Sequence, residues 1–189
     1  MNTIRWRVAA ADAPVAVRPC GRCGANAAFA STGLFRVNAQ KKLVDVWLVY
    51  RCAACGSVWN NAVISRASMK AVGIDELERY HRNDAELALA CALDPDLLKR
   101  NGAKRGPVAY EVEGPACGDE GCRVDIDCAF DAGGIRLADV LRRKLGVSRR
   151  ELERLVEAGR VSAPSGLDVD VLKVKLATCR SVTVRGVGA

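Results

Sequence analysis

Two pairs of cysteines are the residues of this sequence best suited to chemistry. Two residues separate Cys20 from Cys23, the same spacing separates Cys52 from Cys55, and a glycine follows each pair. A Cys-x2-Cys turn directs two sulfurs at one metal, and structural zinc takes four such ligands in a tetrahedron. Glycine lets the chain turn sharply past the second ligand. We predict one structural Zn²⁺ on these four cysteines; two unrelated disulfides or buried thiols are the alternative.

The 28 residues between the pairs must bring Cys52 back to Cys23. Segments 34–39 and 43–50 are rich in strand formers, and residues 40–42 can form the turn between them. Segment 57–64 follows as a third strand. We therefore predict a three-stranded antiparallel zinc ribbon, and the alternation at 3–8 predicts a further strand beside it.

Composition restricts the class of protein. Half of the 189 residues are hydrophobic, which indicates a globular chain. Charges interrupt the first residues where a signal peptide needs an apolar run, and no stretch reaches the roughly 18 apolar residues of a membrane span. We expect a cytoplasmic protein with no membrane contact. Nine cysteines in such a protein favour metal ligation or free thiols over a disulfide framework.

Charge divides the chain into three segments. Residues 1–70 contain ten Lys/Arg and two Asp/Glu, residues 71–134 contain seven and fourteen, and residues 135–189 contain twelve and six. We predict a zinc-ribbon domain at 1–70, an acidic helix-plus-hairpin segment at 71–134 and a basic module at 135–189. The acidic segment either packs on the basic ones or separates two modules that meet a polyanion.

The sequence of the acidic segment predicts short helices followed by two strands. Helices are predicted from residue 74 and after the N-caps Asp84 and Asp94, the second of which precedes a proline at the first helical position. Alternating segments 108–112 and 124–130 then predict a hairpin with its carboxylates in solvent.

Further thiols and the single histidine carry weaker signals. We interpret Cys117, Cys122 and Cys128 as reduced thiols, with a reversible thiol pair or a second metal site as alternatives. His81 lies at a predicted helix end, where a surface role is expected. The sequence has only this one histidine, and it contains no Gly-rich phosphate loop or nucleophile elbow. We therefore predict that the protein is not an enzyme.

A family resemblance is carried by three stretches of the ribbon: residues 35–39 (Phe-Arg-Val-Asn-Ala), residues 45–52 (Asp-Val-Trp-Leu-Val-Tyr-Arg-Cys), and Cys55 with the Trp-Asn pair at 59–60. These stretches resemble a family of bacterial proteins known only as a domain of unknown function, family 1062. The resemblance implies a zinc ribbon and no particular reaction.

The basic module begins as a pair of helices. Leucines and valines from residue 137 form one apolar stripe that ends at Gly146, and Ser148 with Glu151 forms a capping box that opens the second helix. The polar faces carry six basic residues: Arg142, Arg143, Lys144, Arg149, Arg150 and Arg154. A strand is predicted at 172–176.

This helix pair, with the Gly-Arg-Val at 159–161, resembles the RNA-binding module named after small-subunit ribosomal protein four. The resemblance implies binding of structured RNA through the basic residues of the helices, with Arg149, Arg150 and Arg154 at the matching positions. The chain differs from that module at 163–166, where Ala-Pro-Ser-Gly replaces Val-Asn-Gly. Residues 145–150 also resemble the turn of a DNA-reading helix-turn-helix. A packed helix pair with solvated arginines is the third interpretation.

We therefore predict an α+β protein with a zinc ribbon, a helical and hairpin middle and a small αα-β module. The predicted function is non-catalytic RNA binding through the C-terminal basic residues. The alternatives are a protein-interaction adaptor with a structural ribbon, and a DNA-binding helix-turn-helix protein.

Overall fold

The computed structural model describes residues 2–40, 42–118 and 120–186. The described elements, in chain order, are β1 (Asn2–Ala10), β2 (Ala16–Cys20), β3 (Ala25–Gln40), β4 (Leu43–Cys52), β5 (Val58–Ser68), α1 (Met69–Val72), α2 (Ile74–His81), α3 (Ala85–Leu93), α4 (Pro95–Arg100), β6 (Lys104–Arg105), β7 (Tyr110–Glu113), β8 (Cys122–Cys128), α5 (Leu137–Leu145), α6 (Arg149–Glu157), β9 (Val161–Ser162) and β10 (Ser181–Val184). Helices and strands of this number confirm the predicted α+β class.

The chain forms two compact units, which differ from the three predicted segments. The continuous unit is Ala11–Ala109, and the discontinuous unit joins the segment ending at Ala10 to the segment beginning at Tyr110. The predicted boundaries at 70/71 and 134/135 fall inside these units. The charge of successive segments could not predict the two units, because strands that are distant in sequence pair in one sheet.

The continuous unit contains one antiparallel sheet in the order β5-β4-β3-β2-β6. The strands predicted at 34–39, 43–50 and 57–64 correspond to parts of β3, β4 and β5. The sheet has five strands rather than the predicted three, because β2 and the short β6 extend it. One residue of the predicted turn at 40–42, residue 41, lies outside the described residues.

Helices α1–α4 belong to the layer on the inner face of this sheet. Tyr50 and Leu48 of β4 are fully buried in one cluster with Leu98 of α4, and Val46 shares a second cluster with Tyr80 of α2. The predicted caps are confirmed: Asp84 accepts the Leu87 N–H at 2.9 Å, and Asp94 accepts two N–H groups of α4.

The discontinuous unit has a mixed sheet in the order β7-β1-β8-β10-β9. Strand β1 runs antiparallel to β7 and parallel to β8, so two earlier predictions are wrong. The strand predicted at 3–8 does not join the ribbon sheet, and β7 and β8 do not form a hairpin.

Charge pairing gives a physical reason for the position of β1 between β7 and β8. Arg7 lies opposite Glu113 of β7 and opposite Asp127 of β8, and Arg5 approaches Asp127 to 3.3 Å. A direct β7–β8 pair would have put carboxylates opposite carboxylates, which destabilises neighbouring strands.

The inner face of this sheet packs on the helix pair. Trp6 of β1 is fully buried among side chains that include Leu141 of α5 and Leu152 of α6, and its indole N–H donates to the Pro115 carbonyl at 2.9 Å. The strand predicted at 172–176 is wrong: those residues form turns, with one isolated bridge between Lys175 and Arg136.

The pKa of Asp84 predicts how the stability of the helical layer depends on pH. Hydrogen bonds from Arg79, followed by the Leu87 N–H, lower the pKa of Asp84 from 3.8 to about 2. Because the folded pKa is depressed, this carboxylate stabilises the fold above pH 3.8 and loses that effect as the pH falls towards about 2. Asp84→Asn keeps an N-cap and removes the charge. We expect it to unfold at a lower temperature than the parent at pH 7.

The stability difference should shrink as the pH is lowered towards the pKa of Asp84, as measured by thermal denaturation at a series of pH values. Asp96→Asn, in the exposed first turn of α4, is the matched control for loss of one carboxylate. A difference between Asp84→Asn and the parent that does not change with pH would contradict this explanation.

Candidate metal centre and basic surface

The two cysteine pairs lie at one end of the ribbon sheet. Strands β2 and β4 both pair antiparallel with β3, so they run in the same direction and end together at Cys20 and Cys52. Each turn closes with a backbone hydrogen bond of 2.9 Å, from Gly24 N to Cys20 O and from Gly56 N to Cys52 O. Gly24 and Gly56 have φ of 70° and 73°, a conformation that favours glycine.

The four sulfurs form one cluster. All four Sγ atoms lie within 4.8 Å of one another. The Cys20–Cys55 and Cys23–Cys52 sulfurs are 3.6 and 3.8 Å apart. A tetrahedron with metal–sulfur bonds near 2.3 Å has sulfur–sulfur edges of about 3.8 Å, so this spacing fits a four-thiolate metal site. The sequence prediction that these four cysteines converge is confirmed, and together they could bind a metal ion.

The surroundings of the sulfurs favour thiolates at some positions. Hydrogen bonds from Ser57 lower the pKa of Cys55 to about 6, and the Ser57 hydroxyl lies 3.1 Å from the Cys55 sulfur. Contacts with Cys55 and then Cys20 raise the pKa of Cys23 to about 12. The group therefore holds negative charge unequally, as expected when several thiols share few protons. Ser57 was not identified from the sequence; its position two residues after the last cysteine was the available signal.

The other cysteines are separate from this cluster. Cys117 and Cys122 form a disulfide in the discontinuous unit, with Cα atoms 5.8 Å apart, so our interpretation of them as reduced thiols differs from the structure. The Gly121 N–H donates to the Gly118 carbonyl at 3.0 Å, and this tight turn brings the two cysteines together. Within residues 2–40, 42–118 and 120–186, the ribbon cluster is the only group of three or more Cys, His, Asp or Glu side chains close enough together to hold a metal ion. His81 ends α2 and is exposed.

The helix pair has the predicted local geometry. Helix α5 ends at Gly146, and α6 begins with the complete Ser148–Glu151 capping box. Leu152 is buried against the sheet, and Leu155 and Val156 pack beside it.

Four of the six predicted basic residues interact within their own unit. Arg143 donates to the Tyr110 carbonyl and lies 4.4 Å from the centre of its ring, and Lys144 donates to the Gly114 carbonyl at 2.5 Å. Arg142 is 3.9 Å from Asp139, and Arg149 pairs with Glu153 at 3.0 Å.

The remaining two, Arg150 and Arg154, are exposed on α6. Neither side chain makes an ion pair or a hydrogen bond to another described residue. A groove of about 470 Å³ beside α6 is lined by Arg154, Leu155 and Arg160, among others. Arg160 Nε donates to the Arg185 carbonyl at 3.3 Å, which fixes its side chain at the edge of the groove. Arg150 and Arg154 are four residues apart, so both lie on the same side of α6.

The fold and the cluster define an α+β protein with a four-cysteine site that could hold a metal ion. A family model described as "Protein of unknown function (DUF1062)" matches residues 37–166, and the chain belongs to this family. The match covers Cys52, Cys55 and both helices of the basic pair, while Cys20 and Cys23 precede it. The predicted family resemblance is confirmed.

Searches of curated proteins and of solved structures gave no match. Among the described residues, no helix is both long enough and apolar enough to span a membrane.

The cluster predicts the consequence of removing its ligands. The protein purified without chelator should contain about one metal ion per chain, and Cys20→Ser/Cys52→Ser should lose it because two thiolate ligands disappear. Elemental analysis by mass spectrometry measures this ratio.

Cys117→Ser/Cys122→Ser is the matched control, because it also replaces two cysteines by serine but lies in the other unit, where the two form a disulfide. This variant should keep its metal. Metal retained in Cys20→Ser/Cys52→Ser, or an intact ribbon sheet without metal, would contradict the assignment.

Proposed function

We propose that this chain is a non-catalytic RNA-binding protein that contacts structured RNA through helix α6. The observation that supports the proposal most is the pair Arg150 and Arg154, which are exposed and make no ion pair or hydrogen bond with another described residue. Besides the hydrogen bonds from Ser148, Arg154 also helps to lower the pKa of the nearby Glu151 carboxyl, so its charge is partly offset and Arg150 is the freer of the two. Side chains of this kind are available to phosphate groups, which dominate the affinity of proteins for nucleic acids.

The groove beside α6 supports the same proposal. Arg154 and Arg160 lie along it together with one carboxylate, Glu151, and Leu155 contributes an apolar wall. Structured RNA has exposed phosphates, which arginine side chains at the edge of the groove can contact. Its loops also contain unstacked bases, which fit a partly apolar groove. The resemblance of the helix pair to the ribosomal-protein-four module agrees with this choice of ligand.

The contacts within the unit support a smaller set of RNA-binding residues than the six predicted ones. Arg143 and Lys144 satisfy carbonyls of their own unit, and Arg149 is paired with Glu153. We therefore assign the main phosphate contacts to Arg150 and Arg154, with Arg160 in addition.

We also propose that the ion at the cysteine cluster is zinc and that its role is structural. Four thiolates and tetrahedral spacing suit Zn²⁺, and a closed four-cysteine site leaves no coordination position for water or substrate. The ion would join the β2–β3 turn to the β4–β5 turn. This is the basis for proposing a zinc ribbon without catalytic activity.

The test is the salt dependence of RNA binding. Arg150→Ala/Arg154→Ala should weaken binding of an RNA hairpin and lower the slope of log K against log salt by about one to two units, since each lost phosphate contact removes nearly one unit. Filter binding or fluorescence anisotropy at several salt concentrations measures both effects.

Lys175→Ala/Arg180→Ala is the matched control, because it removes two exposed positive charges from the same unit and leaves α6 and the charge pairs of β1 intact. Hairpin binding that is unchanged in Arg150→Ala/Arg154→Ala would overturn the proposal. Tighter binding of duplex DNA than of the hairpin would favour a DNA-reading role. A protein partner whose binding is insensitive to salt would favour an adaptor.

A further inference from the structure

The outward face of the ribbon sheet carries residues that the metal site and α6 do not use. Along β4, the buried side chains Val46, Leu48 and Tyr50 alternate with side chains that point away from the helices. Together with their neighbours on β3 and β5, these define a surface that we call the outer face: Arg36, Asp45, Trp47, Val49, Arg51 and Asn60.

Trp47 is at the centre of this outer face. It pairs in register with Arg36 on one side and with the small Ala62 on the other. The Arg36 guanidinium lies 5.8 Å from the centre of the Trp47 ring. In the described residues, Trp47 is a member of neither hydrophobic cluster of the continuous unit. The large ring is therefore not explained by packing against helices α1–α4.

The charge of the surrounding sequence is one-sided. Residues 13–74 contain eight Lys/Arg and a single Asp/Glu, Asp45. Asp45 is already engaged, since its carboxylate accepts the Arg66 backbone N–H at 2.8 Å. Arg36 and Arg51 are exposed on the outer face, and Asp45 is the one acidic residue of residues 13–74. Two exposed guanidinium groups with so little negative charge in the same segment favour a polyanion as the occupant.

Apolar groups accompany the arginines on the same sheet face. Leu34 and Val58 are 53% and 54% exposed, and Asn60 adds an amide opposite Val49. A surface that combines an aromatic ring, an amide and guanidinium groups suits unpaired bases with their phosphates. A duplex keeps the faces of its bases stacked inside and cannot use the ring.

We propose that the outer face binds single-stranded RNA, with one base stacked on Trp47 and phosphates held by Arg36 and Arg51. The inference rests on the proposed RNA-binding function for the choice of RNA, and it adds a second surface with a different specificity. Helix α6 is assigned to structured RNA, and the outer face to an unpaired segment.

Fluorescence anisotropy with the full chain tests the two surfaces separately. One probe is a labelled oligouridine of about 12 nucleotides, within the usual site sizes for single strands, and the other is an RNA hairpin. Trp47→Ala should raise the Kd for oligouridine by about five- to a hundredfold, the range that corresponds to losing one stacked base. Its Kd for the hairpin should stay near that of the parent.

Trp47→Phe keeps an aromatic surface and should retain most of the affinity for oligouridine. Arg36→Ala/Arg51→Ala should also weaken oligouridine binding and reduce its salt dependence, and it keeps the proposal testable if Trp47→Ala fails to fold. The matched control is Lys99→Ala/Arg100→Ala, which removes two exposed charges from α4 on the other side of the sheet.

The pattern of results distinguishes the two proposals. Loss of oligouridine binding in the Trp47 and Arg36/Arg51 variants, with the hairpin still bound, would support the outer face. Unchanged oligouridine binding in these variants, an equal loss in the Lys99/Arg100 control, or tighter binding of single-stranded DNA of the same length would overturn it. Failure of hairpin binding to respond to Arg150→Ala/Arg154→Ala concerns α6 alone.

Discussion

Electrostatic repulsion among the four ribbon sulfurs is the constraint on which the continuous unit depends. Two turns from different parts of the chain place their sulfurs within 4.8 Å, and thiolates at that separation repel one another unless a cation lies between them. A metal ion bound between the sulfurs would replace this repulsion with attraction and would fix the ends of β2 and β4 together. The register of the sheet then determines which residues point inward to the helices and which point outward.

Local signals in the sequence predicted local structure well. Cys-x2-Cys spacing located the sulfur cluster, and Asp84, Asp94 and the Ser148–Glu151 box located helix starts, because each of these devices acts within a few residues. The family resemblance was also recognisable from short stretches of the ribbon. The α+β class followed from the same evidence.

Long-range pairing could not be predicted in the same way. Period-two alternation identifies a strand but says nothing about its neighbour, so β1 was placed beside the ribbon and β7 beside β8. The positive charges of Arg5 and Arg7 were the sequence signal for the position of β1, since carboxylates lie opposite them on both neighbouring strands, β7 and β8. Likewise, the sequence gives the number of arginines in the helix pair, while only the packing separates the engaged Arg143 from the free Arg150.

The central position of β1 has a consequence for how the protein is made. Residues 2–10 leave the ribosome well before their partners β7 and β8, which follow about a hundred residues later or more. Until then Trp6, which is fully buried in the native sheet, has no strand to cover it. The continuous unit can fold during synthesis, whereas the discontinuous unit must wait for its own C-terminal strands and then close a very long loop. The helix pair and the first strand are therefore a single folding unit, and cutting the chain between them separates Trp6 from the core that it fills.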